Sequence, residues 1–396
     1  MKMRHKAESQ GDFSYFAAMT SIPNLKHTIH LALICFLYGI GLLQAQPADD
    51  RIDRLLQPPN TYVIYQTATP MVIDGKPDEP VWENVAWTAD FVDIEGDIKP
   101  RPLHNTRVKM LWDEQFLYIY AQLEEPDVWA TLNQHDAIIF HDNDFEVFIK
   151  NAAYKNPYYE IEINALGTVF DLFMPTTYRV GGSALTTWDL KGLQKAVYVS
   201  GTRNDPGDTD QFWAVEMAIP FSGVSHFGQQ QVPSGEDVWR INFSRVQWQH
   251  ELVNGEYQRK QGPNGRPLPE NNWVWSPQGV VDMHYPERWG YIRFDDRTPD
   301  LSRPVTFEIP DQETVKQRAW LVFYLQRAYR QQHGSYTADP EALRRLYPRW
   351  SEVFGASTLQ LTAGGDWFVA KVHAAEDNLC FSINQQGDIQ PSTPDK

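Results

Sequence analysis

Across residues 71–298 the apolar residues recur in short runs at every second position, with no long stretch at helical spacing. A period of two sends alternate side chains to opposite faces of an extended strand, so a chain written this way must build a sheet and bury one side of it. Residues 106–150 show the pattern most fully. Val108, Met110 and Trp112 share a face of one run; Leu117, Ile119, Ala121 and Leu123 share a face of the next; Asp113-Glu114-Gln115 supplies the polar turn between them. A polar loop follows, carrying Trp129, His135-Asp136, His141-Asp142 and the acidic run Asp142-Asn143-Asp144, before residues 145–150 return to strand.

Later runs repeat the theme. In YYEIEIN, residues 158–164, Tyr159, Ile161 and Ile163 alternate with Glu160, Glu162 and Asn164. Strands are expected again near 168–173, 195–200, 211–219, 237–247 and 288–294, separated by loops rich in Gly, Pro, Asn and Asp such as 203–210 and 254–272. Earlier, Asp74-Gly75 reads as a tight turn and Pro80 as the opening of a short helical turn that carries Trp82 to the core. About ten strands without intervening helices predict a mainly β fold, an antiparallel β-sandwich rather than a βαβ sheet.

Both ends differ from this middle. Residues 1–46 read as an export segment: Lys26 and His27 precede a mostly apolar run over 29–43, with Ala45 as the small residue near a cleavage point. The run is shorter than the ~20 residues that span a bilayer. Met19 would give a more usual leader than Met1. Residues 47–66 read as a linker into a short strand over 62–65, and 47–298 as the sandwich. Beyond it, 299–396 reads as a small α+β module. Val315, Ala319, Val322, Phe323, Leu325 and Tyr329 recur at helical spacing over 311–332, a shorter helix follows at 340–346, and two strand-like runs close the chain. This module is a candidate contact for a partner protein.

A net charge of −16 argues against nucleic acid as a partner, because phosphate binding needs basic patches. The 14 Trp and 18 Tyr suit a packed sheet core and also stacking on sugar rings. Of the two cysteines, Cys35 lies in the export segment, which leaves Cys380 alone and predicts no internal disulfide.

Residues 71–298 resemble the carbohydrate-binding module family 9 proteins. The resemblance rests on IDGKPDEPVW (73–82), RVKMLWDEQFLYIYAQLEEP (107–126), DNDFEVFI (142–149), YYEIEINALGTVFDL (158–172), FWAVEMAIPF (212–221), WRINFSRVQW (239–248) and the run NWVWSPQGVVDMHYPERWGYIRF (272–294). It implies an immunoglobulin- or jelly-roll-like sandwich that binds polysaccharide or its reducing end without catalysis, in support of polysaccharide degradation, and with calcium in the fold. In that family two tryptophans and an arginine grip the sugar. Their places fall here on Phe140, on Met283 or His284, and on Glu162.

Candidate ligand contacts are therefore Trp129, Phe140, Glu162, Met283, His284, Arg107 and Glu146. Trp129 and Phe140 offer stacking faces at the decorated loop. Glu146, Glu162, Glu216 and Asp171 sit within strands, where they either face solvent or line a concave polar face, and Arg107, Arg240 and Arg245 are candidate ion-pair partners. Asp142, Asn143 and Asp144 form a candidate Ca2+ site, rich in oxygen but without the twelve-residue loop and closing Glu; turn chemistry accounts for them equally well. His135 and His141 match no transition-metal spacing. Nothing marks an acid–base pair, so binding is expected. The alternatives are a glycosidase using Glu146/Glu162 or Glu162/Glu216, and a haem-binding redox sandwich ligated by Met283 or His284.

Overall fold

The computed structural model describes residues 48–151, 157–225, 232–374 and 378–393. The expected export segment, with Cys35 and Ala45, lies outside the described residues. Residues 46–396 form one compact unit. It opens with helix α1 (Ala48–Leu55). Fourteen strands follow: β1 (Thr61–Gln66), β2 (Val92–Asp93), β3 (Thr106–Trp112), β4 (Phe116–Glu124), β5 (Asp144–Lys150), β6 (Tyr158–Asn164), β7 (Val169–Met174), β8 (Gln194–Ser200), β9 (Phe212–Pro220), β10 (Val238–Gln247), β11 (His250–Val253), β12 (Glu256–Arg259), β13 (Asn271–Val274) and β14 (Gly290–Asp295).

Twelve of these make one sheet, in the order β7-β6-β5-β10-β14-β1-β3-β4-β9-β8, with β13 alongside β10 and β2 alongside β13. The ten-residue β10 is the fork. One of its edges pairs with β5, while the other pairs with β14 over Val238 to Ile241 and with β13 over Ser244 to Gln247. Tyr159, Ile161 and Ile163 of β6 share an apolar core with Val215, Met217 and Ile219 of β9, although these strands stand near opposite ends of the order. The sheet therefore folds over on itself, and its two halves are the layers of a sandwich.

The β3–β4 hairpin forms as its pattern dictates. Trp112 pairs with Leu117, and the Asp113 carboxylate accepts the N–H of Gln115 at 2.7 Å and of Phe116 at 2.8 Å, which fixes the turn. The sheet is not wholly antiparallel, however. Strand β1 runs parallel to both β14 and β3, because it enters from a remote part of the chain and no hairpin dictates its direction. Pro80 opens a 3-10 turn that buries Trp82 against Tyr120, covering the outer side of the β3–β4 layer.

The C-terminal module consists of α2 (Asp311–His333), α3 (Pro340–Leu346), α4 (Trp350–Phe354) and the meander β15 (Thr358–Ala363), β16 (Phe368–His373), β17 (Cys380–Asn384) and β18 (Ile389–Pro391). Val315, Ala319, Val322, Phe323 and Leu325 of α2 bury against Phe368, Ala370, Val372 and Phe381 of the meander. Ile52 and Leu55 of α1 complete the same core. Residues expected to be linker are thus part of this module: the segment ADDRIDRL presents two apolar side chains one turn apart, too short a signal to stand out in the sequence.

Candidate functional site

Alternation along β5 sends Phe145, Val147 and Ile149 into the sandwich core and Asp144, Glu146 and Phe148 to the other face. On β6 the same rule sends Tyr158, Glu160 and Glu162 to that face, in register: Glu146 opposite Glu162, Phe148 opposite Glu160. This outer face is not open to water. Ile94, Ile139, Val274, Met283 and Trp289 close over it, joined by Phe170, Leu172 and Met174 of β7, in a second apolar cluster. Asp144, Glu146, Glu160 and Glu162 are consequently buried.

Carboxylate oxygens of Asp144, Glu146 and Glu162 lie within 4.8 Å of one another. One oxygen of Asp144 accepts the Val246 N–H at 3.2 Å, and one of Glu162 accepts the Phe140 N–H at 3.1 Å. Asp144 Oδ2, Glu160 Oε2 and Ser244 Oγ have no hydrogen-bond partner among the described residues. Ser244 stands opposite Glu146, near enough to favour its ionised form without good hydrogen-bond geometry. No Lys or Arg ion-pairs with any of the four acids among the described residues. Burial pushes Glu146 up to about 7, and burial with mutual repulsion holds Asp144, Glu160 and Glu162 well above the usual carboxylate range. All-oxygen and close-set, with Asp144 Oδ2 unpartnered, this set fits a hard divalent cation such as Ca2+, which would displace the protons that burial favours.

Two partly exposed aromatic rings border these acids. Phe140, 38 % exposed, sits on a 3-10 turn, Ile139–His141; its N–H is held by Glu162 and its carbonyl accepts Trp248 Nε1–H at 2.8 Å. Tyr178, 45 % exposed, opens the 3-10 turn Tyr178–Val180. Burial and the charges of Glu160 and Glu162 push its hydroxyl up to about 12. Its ring meets His284 edge-on at 4.5 Å. His284 Nδ1 in turn contacts the Tyr158 hydroxyl at 2.6 Å and lies 3.9 Å from Glu160, while burial and Arg179 push the ring down to about 4, so it is neutral. The turn bearing Tyr178 is fixed from the C-terminal module. Arg179 makes a bidentate pair with Glu287 at 2.6 and 2.7 Å, and the α2 hydroxyl of Tyr324 donates to the same carboxylate at 2.6 Å.

Of the residues nominated from sequence, Phe140, Glu146, Glu162, Met283 and His284 meet here; Met283 packs in the apolar roof with its carbonyl taken by Trp289. That packing, with His284 engaged by Tyr158, leaves no axial pair for a haem. Trp129 is only 2 % exposed and stacks on Tyr257, so it offers no face to a sugar. Arg107 lies on β3, its guanidinium 4.2 Å from the Trp87 ring centroid and bonded to Gln122. Arg240 and Arg245 pair with Glu313 and Glu125 rather than with the strand glutamates of this face. Glu216 accepts the N–H groups of Asp74 and Gly75 on the other layer, which removes it as a partner for Glu162.

The nominated calcium triplet divides. Both oxygens of Asp142 are taken by donors, from Thr131, Leu132 and Asn164. Asn143 bridges the Trp248 N–H and Glu125. These two side chains cross-link segments distant in the chain, and Asp144 alone joins the carboxylate cluster. Sequence reasoning missed Glu160, Tyr158 and Tyr178. The YYEIEIN alternation already placed Glu160 beside Glu162; no local signal marks Tyr178.

Residues 73–235 match the family described as Carbohydrate family 9 binding domain-like. Solved structures with some likeness include a candidate carbohydrate-binding protein of Bacteroides uniformis, at 15 % identity and TM-score 0.44 over 60 % of this chain and all of that one. Two others are of a carbohydrate binding module family 9 from Caldicellulosiruptor kristjanssonii. The complex with cellotriose has 16 % identity over 62 % of this chain, and that with glucose 15 % over 61 %; both have TM-score 0.38 and are covered in full. These scores fall below 0.5, so the architecture rests on this chain's own strand pairing. No curated protein sequence matches the chain.

Proposed function

We propose that the sandwich binds carbohydrate without catalysis, at the recess bordered by Phe140 and Tyr178. The observation that carries this reading is the pairing of two partly exposed aromatic rings with buried, partly unsatisfied carboxylates beside them. A pyranose presents apolar C–H faces to aromatic rings, and Phe140 and Tyr178 offer two partly exposed rings, while buried Glu162 holds the turn that carries Phe140. The family match over residues 73–235 supports the same ligand class. Burial of Glu146 and Glu162 beneath an apolar roof favours binding over hydrolysis, which needs a water between or beside the acids. In this reading the protein acts outside the cytoplasm in support of polysaccharide breakdown, and Asp144, Glu146 and Glu162 hold a Ca2+ ion that neutralises them.

Calorimetry with glucose, cellotriose and xylo-oligosaccharides tests the proposal. Each of Phe140→Ala and Tyr178→Ala is expected to cost about 1 kcal/mol, roughly fivefold in affinity. Arg107→Ala, away from the recess, should leave binding unchanged. Undiminished affinity in the double variant, or release of sugar products that stops in Glu162→Gln, would sink the reading.

A further inference from the structure

A second group of donors lies at the outer edge of β7, the last strand of the sheet order. His135 and Asp136 come from the decorated loop, Asp171 from β7 and Asp189 from the loop before β8, and one donor atom of each falls within 4.8 Å of the others. The His135 ring is oriented by the backbone. Its Nδ1 stands 3.1 Å from the Val169 carbonyl, which can only accept, so Nδ1 carries a proton. Nε2 faces the three carboxylates, whose company, with Asp189 first, raises the ring's pKa. On losing that second proton, Nε2 presents its lone pair to the same point. From Nε2 the nearest oxygens are 3.2 Å away on Asp189, 3.6 Å on Asp136 and 3.9 Å on Asp171. Two ligands on one tetrahedral zinc, with bonds of about 2.0–2.1 Å, stand about 3.3–3.4 Å apart. The separations from Nε2 thus approach those around an ion, and the remaining donors lie within 4.8 Å of one another.

An independent observation points the same way. Asp171 is 2 % exposed, and its Oδ1, the oxygen that faces His135, has no hydrogen-bond partner among the described residues, while Oδ2 accepts the Leu190 N–H. A buried carboxylate oxygen without a donor is costly. Protonating His135 leaves one positive charge against three negative ones. A divalent ion supplies two charges and a ligand bond to the orphaned oxygen, and the Nδ1–H to carbonyl contact is the outer-shell arrangement that metal-bound histidines show.

We propose that His135, Asp136, Asp171 and Asp189 form a binding site for a divalent first-row transition cation, with zinc as the probe. One imidazole with three carboxylates separates this site from the all-oxygen cluster on β5 and β6, which favours harder ions. The bound ion would tie the loop that leads to Phe140 onto the edge of β7. The inference does not rest on carbohydrate binding.

The test is a calorimetric titration of the tag-free, chelator-treated full chain with Zn2+, at about pH 7.5 and again at about pH 5.5, where imidazole protonates. One equivalent should bind at the higher pH, and about tenfold or more weaker at the lower, since a proton and the ion compete for Nε2 while Asp136, Asp171 and Asp189 surround it. His135→Gln and Asp189→Asn change exposed side chains, so the fold should survive, as circular dichroism would verify; each should weaken binding by about tenfold or more. His250→Gln, on β11, should bind as the wild type does. Failure of the wild type to bind, undiminished affinity in both site variants, or loss of the equivalent in His250→Gln would overturn the proposal.

Discussion

The buried carboxylates make a prediction opposite to the usual result of mutating a binding site. Glu146 is buried opposite Glu162 and near Asp144, and burial pushes its carboxyl from 4.5 up to about 7. A shift of about 2.5 units corresponds to about 3 kcal/mol. The folded state holds its proton between roughly pH 4.5 and 7 while the unfolded chain has lost it, so stability is full below that window and falls as pH rises through it. Glu146→Gln removes the ionisation and keeps the size. In chelator, the variant should match the wild type near pH 4.5 and exceed it by up to about 3 kcal/mol near pH 9, a gain of about 4 °C in midpoint for a unit of this size. Adding Ca2+ should narrow the gap by stabilising the wild type alone. Thermal unfolding followed by circular dichroism across that pH range, with and without Ca2+, measures both effects. A gap that stays constant with pH, or a variant less stable than the wild type near pH 9, would refute the argument that these acids are buried without a cationic side chain.

Two further outcomes follow from buried ion pairs. Arg245 is fully buried and donates to Glu125, Thr106 and Gln247; Arg245→Ala leaves the Glu125 charge without its guanidinium and should cost about 3–5 kcal/mol, read from urea unfolding. Glu287→Gln leaves Arg179 without its bidentate partner; it should lower glycan affinity by loosening Tyr178, and calorimetry showing wild-type affinity in a folded variant would separate that turn from binding.

Strand alternation made much of the sandwich legible. It gave the β3–β4 hairpin, the inward faces of β5 and β6, and the grouping of Glu160 with Glu162. What it could not supply is cover. Periodicity says which side chains share a face, but whether that face meets water depends on segments far along the chain. Here Ile139 and Phe170 flank the strands locally, whereas Met283 and Trp289 arrive from more than a hundred residues away and turn an outward row of acids into a buried one. The same limit accounts for Trp129: a tryptophan in a polar loop reads as exposed until Tyr257, from the β11–β12 hairpin, stacks on it. It accounts also for α1, whose two apolar side chains acquire meaning only against the C-terminal core.

Phe140 and Tyr178 are held by different means, and this gives the C-terminal module a place in the function. Phe140 is fixed within the sandwich, by Glu162 on one side and Trp248 on the other. Tyr178 follows a loop whose only regular structure is one 3-10 turn, and a turn of that length does not hold a ring in place by itself. Its neighbour Arg179 pairs with Glu287, whose carboxylate also accepts the Tyr324 hydroxyl, and the Arg179 carbonyl accepts from Arg327, so two residues of α2 back the turn. Under the proposed function, affinity would then depend on the junction between sandwich and helix. The module would act on the sugar through Tyr178 without contacting it, ordering one of the two rings before binding and so reducing the entropy lost when the sugar docks.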